Sequence, residues 1–496
     1  MGAARFSVGY DEAQDPLVLA LDVGSTGTRG GLYDASGVPI RGSKTKIEHA
    51  FTTVADGTST IDPDQVAGEI AQCIDHLAGL GRRPIAAVAL DTFASSLVGA
   101  DADGRAITPC YTYADSRCAA QVHYLRSILN EDETQQRTGT RQHTGYLPPR
   151  FLWLNATAPD VVARVARWLS LGEYAWLRLI GTTAAGTSTA AWTGMLDRHA
   201  GTWDTELCEL VGVGIEKLSP IAAPRATLMP RLAVAARWPA LSDARWFAPI
   251  ADGFSSSVGA GTGAPHVVLA AATSGALRML VDGDLPNLPR GLWCNRIDES
   301  RSILGGAVND VGRAVTWLDS TLRLPDAETL RSVLFDEPTP GTPLVLPFFS
   351  GERSTGWVGE SRAVIHRINA ATGPLDLYRG TMEGVAWTYA RMLAQMLDVI
   401  GRPAEILGTG RVSNELPGLL QLVADATGVP VTPITIKRST LRGTALHALE
   451  VLAPDAARMP PTRGATLEPV VSRATYYHRR AERYQVLYDK VIAHAN

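Results

Sequence analysis

Two short apolar runs, each broken by a turn of small residues and then resumed, organise the hydrophobic pattern of this 496-residue chain. Leu17-Val18-Leu19-Ala20-Leu21-Asp22-Val23 has the continuity of a buried strand. Gly24-Ser25-Thr26-Gly27-Thr28 interrupts it, and Arg29-Gly30-Gly31-Leu32-Tyr33-Asp34 returns towards a further turn at Ala35-Ser36-Gly37. The pattern predicts a β-hairpin feeding a third strand. It recurs in the second half, where Val267-Val268-Leu269-Ala270-Ala271-Ala272 leads into Thr273-Ser274-Gly275-Ala276 and back through Leu277-Arg278-Met279-Leu280-Val281-Asp282. One such hairpin says little, but a pair near the start of each half implies duplication of a whole domain.

Between the hairpins, strand-like and helical stretches alternate. Residues 84–90 read as a strand, and residues 64–80, 161–180 and 375–400 as helices. In the last of these, Leu377, Met382, Val385, Ala386, Tyr389 and Met392 fall on one face at a period near 3.6 residues. The alternation predicts an α/β fold with mixed sheets flanked by helices. Glycine and proline cluster at residues 261–265, just before the second hairpin, and mark the expected junction. The expected division is a tail at 1–16, a first domain at 17–262 and a second at 263–496.

Composition narrows the class without naming the chemistry. Hydrophobic residues make up 45% of the chain and the formal charge is −4, which gives no electrostatic footprint for nucleic acid or an anionic membrane. Cys73, Cys110, Cys118, Cys208 and Cys294 are scattered with no C-x-x-C pair, against a disulfide framework or a structural zinc site. No basic, apolar leader opens the sequence, and no apolar run approaches the ~18 residues that suggest a membrane span. The expectation is a reduced, soluble, cytoplasmic protein.

The first hairpin carries candidate chemistry. No G-x-x-x-x-G-K-[ST] occurs, which argues against a Walker-type nucleotide site. Gly24 and Gly27 instead allow a tight turn whose backbone N–H groups can cradle an anion, with hydroxyls from Ser25, Thr26 and Thr28 and a fixed charge from Arg29. Asp22 stands at the mouth of that turn. A carboxylate beside phosphates makes sense when a cation lies between them, and Mg2+ fits. Taken alone, the hairpin could equally be an ordinary turn with a solvated aspartate. The second turn, at Thr273-Ser274-Gly275, shifts the balance towards two loops bracketing a triphosphate.

Asp22-Val-Gly-Ser-Thr-Gly-Thr-Arg29 resembles the first phosphate motif of the FGGY carbohydrate kinases, of the actin/hexokinase/Hsp70 superfamily, and the resemblance spans roughly residues 17–455. Asp91-Thr-Phe-Ala-Ser-Ser-Leu-Val98, Thr112-Tyr-Ala-Asp-Ser-Arg117 and Tyr146-Leu-Pro-Pro-Arg-Phe-Leu-Trp153 are similar to its sugar-site segments. Gly408-Thr-Gly-Arg-Val-Ser-Asn414, followed by Gln421-Leu-Val-Ala-Asp425, is similar to its adenosine motif. Thr273-Ser-Gly-Ala-Leu-Arg278, Leu292-Trp-Cys-Asn-Arg-Ile-Asp298 and Leu346-Pro-Phe-Phe-Ser-Gly-Glu-Arg-Ser354 resemble the gluconate kinase branch in particular. The resemblance implies two duplicated ribonuclease H-like/actin-like domains around a cleft. The first would hold the sugar and the second the adenosine, with ATP and Mg2+ as cofactors, and a homodimer is compatible with it.

The same resemblance implies roles for single residues. Asp252, in Ala251-Asp252-Gly253, is similar to the family's catalytic aspartate and would act as general base. An isolated Asp-Gly is more often a turn, but its position immediately before the junction favours catalysis. Ser95, Ser96, Tyr113, Arg117 and Tyr146 would line the substrate pocket, Tyr113 standing where relatives often have tryptophan. Arg117, Arg141, His143 and Arg150 are candidates to pair with a substrate carboxylate, although any one of them alone is more often structural. Gly408, Thr409, Gly410 and Asn414, with Asn309 and Gly312, would line the nucleotide wall. Ala272, Thr409 and Arg150 depart from the common glycine, glycine and lysine of relatives, which bears on the substrate more than on activity.

The expected reaction is ATP-dependent phosphorylation of a small sugar or sugar acid, gluconate first. The same chemistry on xylulose, ribulose or glycerol is the alternative, and a non-catalytic actin-like sensor is the alternative of another class. The presence of both Asp22 and Asp252 argues for turnover. If the two phosphate loops sit on separate lobes, sugar and nucleotide together should compact the protein. Small-angle scattering should then show a smaller radius of gyration with both ligands than with neither, and an unchanged radius would count against closure.

Overall fold

The computed structural model describes residues 6–81, 83–231, 233–261 and 266–493. The expected junction falls almost wholly at residues 262–265, outside them. In the first half the predicted hairpin is present, β1 (Val18–Gly24) and β2 (Gly27–Tyr33) pairing antiparallel around a two-residue Ser25-Thr26 turn. β3 (Thr45–Glu48) adds to β2, and β4 (Ala87–Thr92) lies parallel to β1 on its other side. β5 (Thr227–Leu228), β6 (Arg245–Phe247) and β7 (Ile250–Ala251) complete the sheet, with β6 and β7 both running parallel to β4.

The second half repeats this wiring. β8 (Val267–Ala271) and β9 (Gly275–Asp282) form the hairpin, and β10 (Trp293–Arg296) and β11 (Arg301–Val308) extend it on one side. β12 (Ile406–Thr409) and β13 (Val431–Pro433) follow in parallel on the other. The two sheets thus share a core order β3-β2-β1-β4-β6 and β11-β9-β8-β12-β13, antiparallel on one side of the first strand and parallel on the other. β10 is an edge addition with no counterpart. The duplication inferred from the hairpins therefore extends to the whole sheet.

Helices cover both sheets where the alternation of side chains demands it. Leu19, Leu21 and Val23 of β1 face a core shared with α1 (Pro63–Ala78) and α2 (Leu171–Ile180). α1 starts where Asp62 caps the N–H groups of Asp64 and Gln65, with Pro63 at the first helical position. The helix expected over 161–180 is interrupted. Arg167–Leu169 pairs as a strand with Val98–Ala100, and a capping box between Ser170 and Glu173 starts α2 afresh. That Ser-x-x-Glu was a legible stop-and-start signal.

The other face of β1 and β4 is covered from the far end of the chain. Val18, Ala20, Ala87 and Ala89 pack with Leu441, Ala445, Ala448 and Leu449 of α6 (Ser439–Leu452). α3 (Asp252–Gly259) follows the last strand of the first sheet as α6 follows that of the second, and the two helices cross. α4 (Gly312–Thr321) and α5 (Pro374–Ile400) lie between β11 and β12, and α5 is the long helix the 3.6-residue period predicts. Residues 6–16 are packed as well, Val8 bridging to Ile40. No helix among the described residues is long and apolar enough to cross a membrane.

The crossing of α3 and α6 leaves no room for side chains. A Cβ on Gly259 would lie 1.7 Å from the Ser439 carbonyl oxygen, and one on Gly443 would lie 1.8 Å from that of Ser255. Both neighbours are backbone and cannot swing aside. Gly443→Ala should therefore cost at least the ~1–3 kcal/mol of an overpacked contact in urea unfolding. Gly341→Ala, at an exposed position with open space around it, should stay within ~0.5 kcal/mol. Equal effects from the two variants would show that the crossing is not close-packed in solution.

Candidate active site

Asp22 sits two residues before the end of β1, in register with Arg29 on β2 and Asp91 on β4. Arg29 donates from Nη1 to Asp22 Oδ2 at 3.1 Å and from Nη2 to Thr26 Oγ1 at 3.3 Å, so the hairpin's cation steadies the hairpin itself. Ser25 and Thr26 are exposed at the tip. Thr28 is not. One step along the strand from Arg29, it faces inward and donates to Glu69 Oε2 at 2.7 Å. His49 bridges the same carboxylate and the Gly24 carbonyl, at 2.7 and 2.8 Å. Thr28 is thus a strut that fixes the turn from behind, where the sequence suggested a phosphate donor.

Three carboxylates gather at the ends of the adjacent strands β1, β4 and β7. Asp91 is fully buried and accepts a hydrogen bond from Thr444 on α6. Burial, then the neighbouring Asp22 charge, push its carboxyl well above the usual range. Asp22 is raised by burial too, against the pull of Arg29. Asp252 opens α3 and is half-buried; burial lifts it to about 6 against the opposing pull of the Arg278 guanidinium. A carboxyl near 6 in a cleft is suited to exchange a proton at neutral pH. Among the described residues no three acidic or imidazole groups converge closely enough to cage a metal. Mg2+ reaching such a site would come largely ligated by phosphate and water, with one or two carboxylates to meet it.

The second hairpin is built against α4. The carbonyls of Ala272 and Thr273 accept the N–H groups of Gly312 and of Val311 and Arg313, leaving Thr273 and Ser274 exposed at the tip. Gly275 packs under the Tyr389 ring, whose hydroxyl donates to Ala270 O at 2.8 Å. Thr409 ends β12, and its carbonyl accepts from Ser413. Gly408 packs on Leu420, and Gly410 turns at φ +101°, where a Cβ would meet Ala271 O at 2.3 Å. Asn414 donates to the Gly410 carbonyl from an exposed position. Asn309 is committed to the Ser350 and Gly351 carbonyls, at 3.1 and 3.0 Å, so it shapes a loop.

On the substrate side, several residues singled out in the sequence are structural. Ser95 donates to Trp192 O at 2.5 Å, and Ser96 Oγ accepts the Leu171 N–H at 3.0 Å. Arg117 clasps Asp115 and stacks 4.4 Å over Trp153. Arg141 pairs with Glu131 and Asp132. Arg150 is buried and donates to the carbonyls of Ser95, Thr112, Asp115 and Thr144, tying the pocket's loops together. His143 is held neutral, burial lowering its imidazole to about 3. Tyr113 is 39% exposed beside Phe51 and Phe93, its hydroxyl facing Asp252, Ser25, Arg353 and Arg313.

The cations that do face the pocket come from the second half. Arg353 lies among Tyr113, His143 and Tyr146, with hydrogen bonding to the Tyr146 hydroxyl. Arg278 lies beside Asp252 and donates from Nη1 to Ser256 Oγ at 3.1 Å. The Nε of each is buried without a partner. The preceding Glu352 is fixed by Arg391 at 2.8 Å and by the Tyr488 hydroxyl at 2.5 Å, which anchors the segment that presents Arg353. Both arginines were inside segments noted for their resemblance, but spacing alone does not show which way a side chain points.

A duplicated α/β fold with hydroxyl-tipped hairpins and a half-buried aspartate between its sheets defines a phosphotransferase of the actin-like type. The profile of the FGGY family of carbohydrate kinases matches residues 17–229 with its N-terminal domain and 258–450 with its C-terminal domain. The chain belongs to this family and is an ATP-dependent carbohydrate kinase. It is 23% identical over 415 residues to a gluconokinase of Bacillus subtilis, covering 79% of each chain. It is 26% identical over 449 residues to a glycerol kinase of Gloeobacter violaceus, covering 87% of each. Among solved structures, a gluconate kinase and a xylulose kinase from Lactobacillus acidophilus each superpose with TM-score 0.89 at 23% identity. Each covers 96% of this chain, and the match spans 98% and 99% of those chains respectively.

The raised Asp91 carboxyl makes a stability prediction. A carboxyl raised in the folded state binds more protons than its unfolded counterpart, so stability falls as pH rises from the unfolded pKa towards the folded one. Asp91→Asn removes that loss. The variant's melting temperature relative to wild type should improve progressively as pH rises above the ordinary aspartate value of 3.8, and a difference independent of pH would show that the Asp91 carboxyl is not raised in the native state.

Proposed function

We propose that this kinase phosphorylates a hydroxyl of a small sugar acid, gluconate first, with Asp252 as general base. The observation that carries the reading is the placement of Arg353 and Arg278 in the pocket beside Asp252 with no other carboxylate partner. Two half-buried guanidiniums beside one aspartate that titrates near 6 leave positive charge that a substrate carboxylate would satisfy. The relatives named gluconokinase and gluconate kinase point the same way. Glycerol and xylulose, the substrates named for other relatives, carry no such charge.

In this reading the Ser25-Thr26 and Thr273-Ser274 tips receive the phosphates from opposite sides, through backbone N–H groups and hydroxyls. Asp22 would help hold the magnesium ion that accompanies ATP, and Arg29 holds its carboxylate in place. Gly408, Thr409, Gly410 and Asn414 shape the adenosine wall, while Asn309 and Gly312 support the loops around it. Magnesium supplies charge neutralisation of the phosphates. Asp252 accepts the proton of the substrate hydroxyl as its oxygen bonds to the γ-phosphorus and the bond to the β-phosphate oxygen breaks, releasing ADP. Tyr113 and Tyr146 cover the carbon skeleton. Ser95, Ser96 and Arg117 act by holding the loops that carry these rings.

Four measurements test this. In an ADP-release assay across aldonates, ketopentoses and polyols, gluconate should give the highest kcat/KM; turnover of a ketopentose or glycerol without gluconate would overturn the substrate assignment. Arg353→Met should lower kcat/KM for gluconate by about one to two orders of magnitude, as for loss of a charge-assisted hydrogen bond, and leave KM for ATP nearly unchanged. Asp252→Asn should bind ATP and lose nearly all phosphotransfer. With wild type, kcat/KM should rise about tenfold per pH unit below a midpoint near 6 and level above it, because only the ionised Asp252 accepts a proton.

A further inference from the structure

A cavity of about 590 Å³, lined by none of the residues assigned to the candidate active site, opens between the two halves of the chain; it lies close enough to Asp22 that the neighbouring Arg438 acts on that carboxylate. The loop after β2 contributes Arg41 and Lys44, and the segment after β13 contributes Lys437 and Arg442. Tyr33 and Ile436 supply an apolar wall, and among the described residues no carboxylate lines the cavity. Among the described residues none of the four cations is in an ion pair. Arg442 is committed to backbone carbonyls of Gly37, Gly259 and Met459, which holds its charge rigidly at the floor. Arg438, between Lys437 and α6, adds a fifth cation close enough to act on Lys44, with its Nη1 buried and unpartnered.

Such a grouping is electrostatically unfavourable as it stands. Burial and the nearby Arg438 and Lys437 charges depress the Lys44 ammonium, the mark of like charges held together without a counter-charge. Elsewhere the chain pairs its surface arginines freely, as at Arg301 with Asp298 and Glu450. The volume lies within the range of small-molecule sites, and the mix of one apolar wall with convergent donors is typical of them. A membrane or nucleic-acid surface fits less well, since the cations converge on a concavity rather than spread over a face.

We propose that this cavity is a second ligand site, for a small phosphate-bearing anion, gripped by Lys44 and Arg41 from one half and Lys437 and Arg442 from the other. A ligand there would bridge the two sheets' loops beside the α3–α6 crossing, and so favour one relative setting of the halves. The phosphate could come from an inorganic anion or from a phosphorylated sugar, and the two are separable by affinity.

The test uses the full chain in the presence of saturating Mg2+ and a non-hydrolysable ATP analogue, which keeps added anions out of the phosphate hairpins. Calorimetric titration with pyrophosphate and with a hexose 6-phosphate should show one further site per chain. Lys44→Ala/Lys437→Ala should weaken that binding tenfold or more and leave the affinity for the ATP analogue unchanged. The tighter of the two probes identifies the source of the phosphate. No binding of either probe at millimolar concentration, or binding that the double variant retains, would overturn the proposal. Melting temperatures of the variant within a few degrees of wild type confirm that it is folded for the comparison.

Discussion

The structure hangs on the contact between α3 and α6, where Gly259 and Gly443 bring two helix backbones together with nothing between them. Each helix follows the last parallel strand of its own sheet, so the crossing is where the two repeats meet at equivalent positions. Small residues are required because the nearest neighbours are carbonyl oxygens, which cannot move without unwinding a helix. The close backbone contact fixes the distance between the two helices, and the apolar side chains of α6 seal it against the first sheet. The candidate active site lies at one end of α3, within reach of both sheets for this reason.

The same helix pair sets the electrostatics. Asp252 is the first residue of α3, and Thr444 of α6 reaches Asp91 beneath Asp22. The crossing therefore brings three carboxylates from one half and the Arg278 and Arg353 guanidiniums of the other into one low-dielectric region. Burial and the neighbouring charges raise the Asp91 carboxyl and bring Asp252 to about 6. Proton affinity here follows from where the elements are packed, and no single loop decides it.

Much of the fold was legible. The hairpins, the long helix at 374–400 and the duplication all follow from apolar runs and small-residue turns, which are local signals. The missed strand at Arg167–Leu169 was short and apolar inside a helical pattern, where period alone cannot arbitrate. The site was legible by segment and less so by side chain. Thr28, Ser95, Ser96, Arg117 and Asn309 lie in the resembling motifs, yet each side chain is tied to a carbonyl, a carboxylate or an N–H of its own surroundings. Alternation along β2 could have turned Thr28 inward beforehand. Nothing in the spacing could have shown Arg353 reaching Tyr146 from the other half, because that contact exists only once the two repeats are docked.

Covering the first sheet with α6 has a bearing on how the chain is made. Val18, Ala20, Ala87 and Ala89 have no lasting cover until Leu441, Ala445, Ala448 and Leu449 arrive, so during synthesis the first half must wait, one sheet face bare, for almost the whole of the second to be translated. Domains ordinarily fold in order of emergence. Here the earliest strands are finished by one of the latest helices, and the protein matures as a single unit.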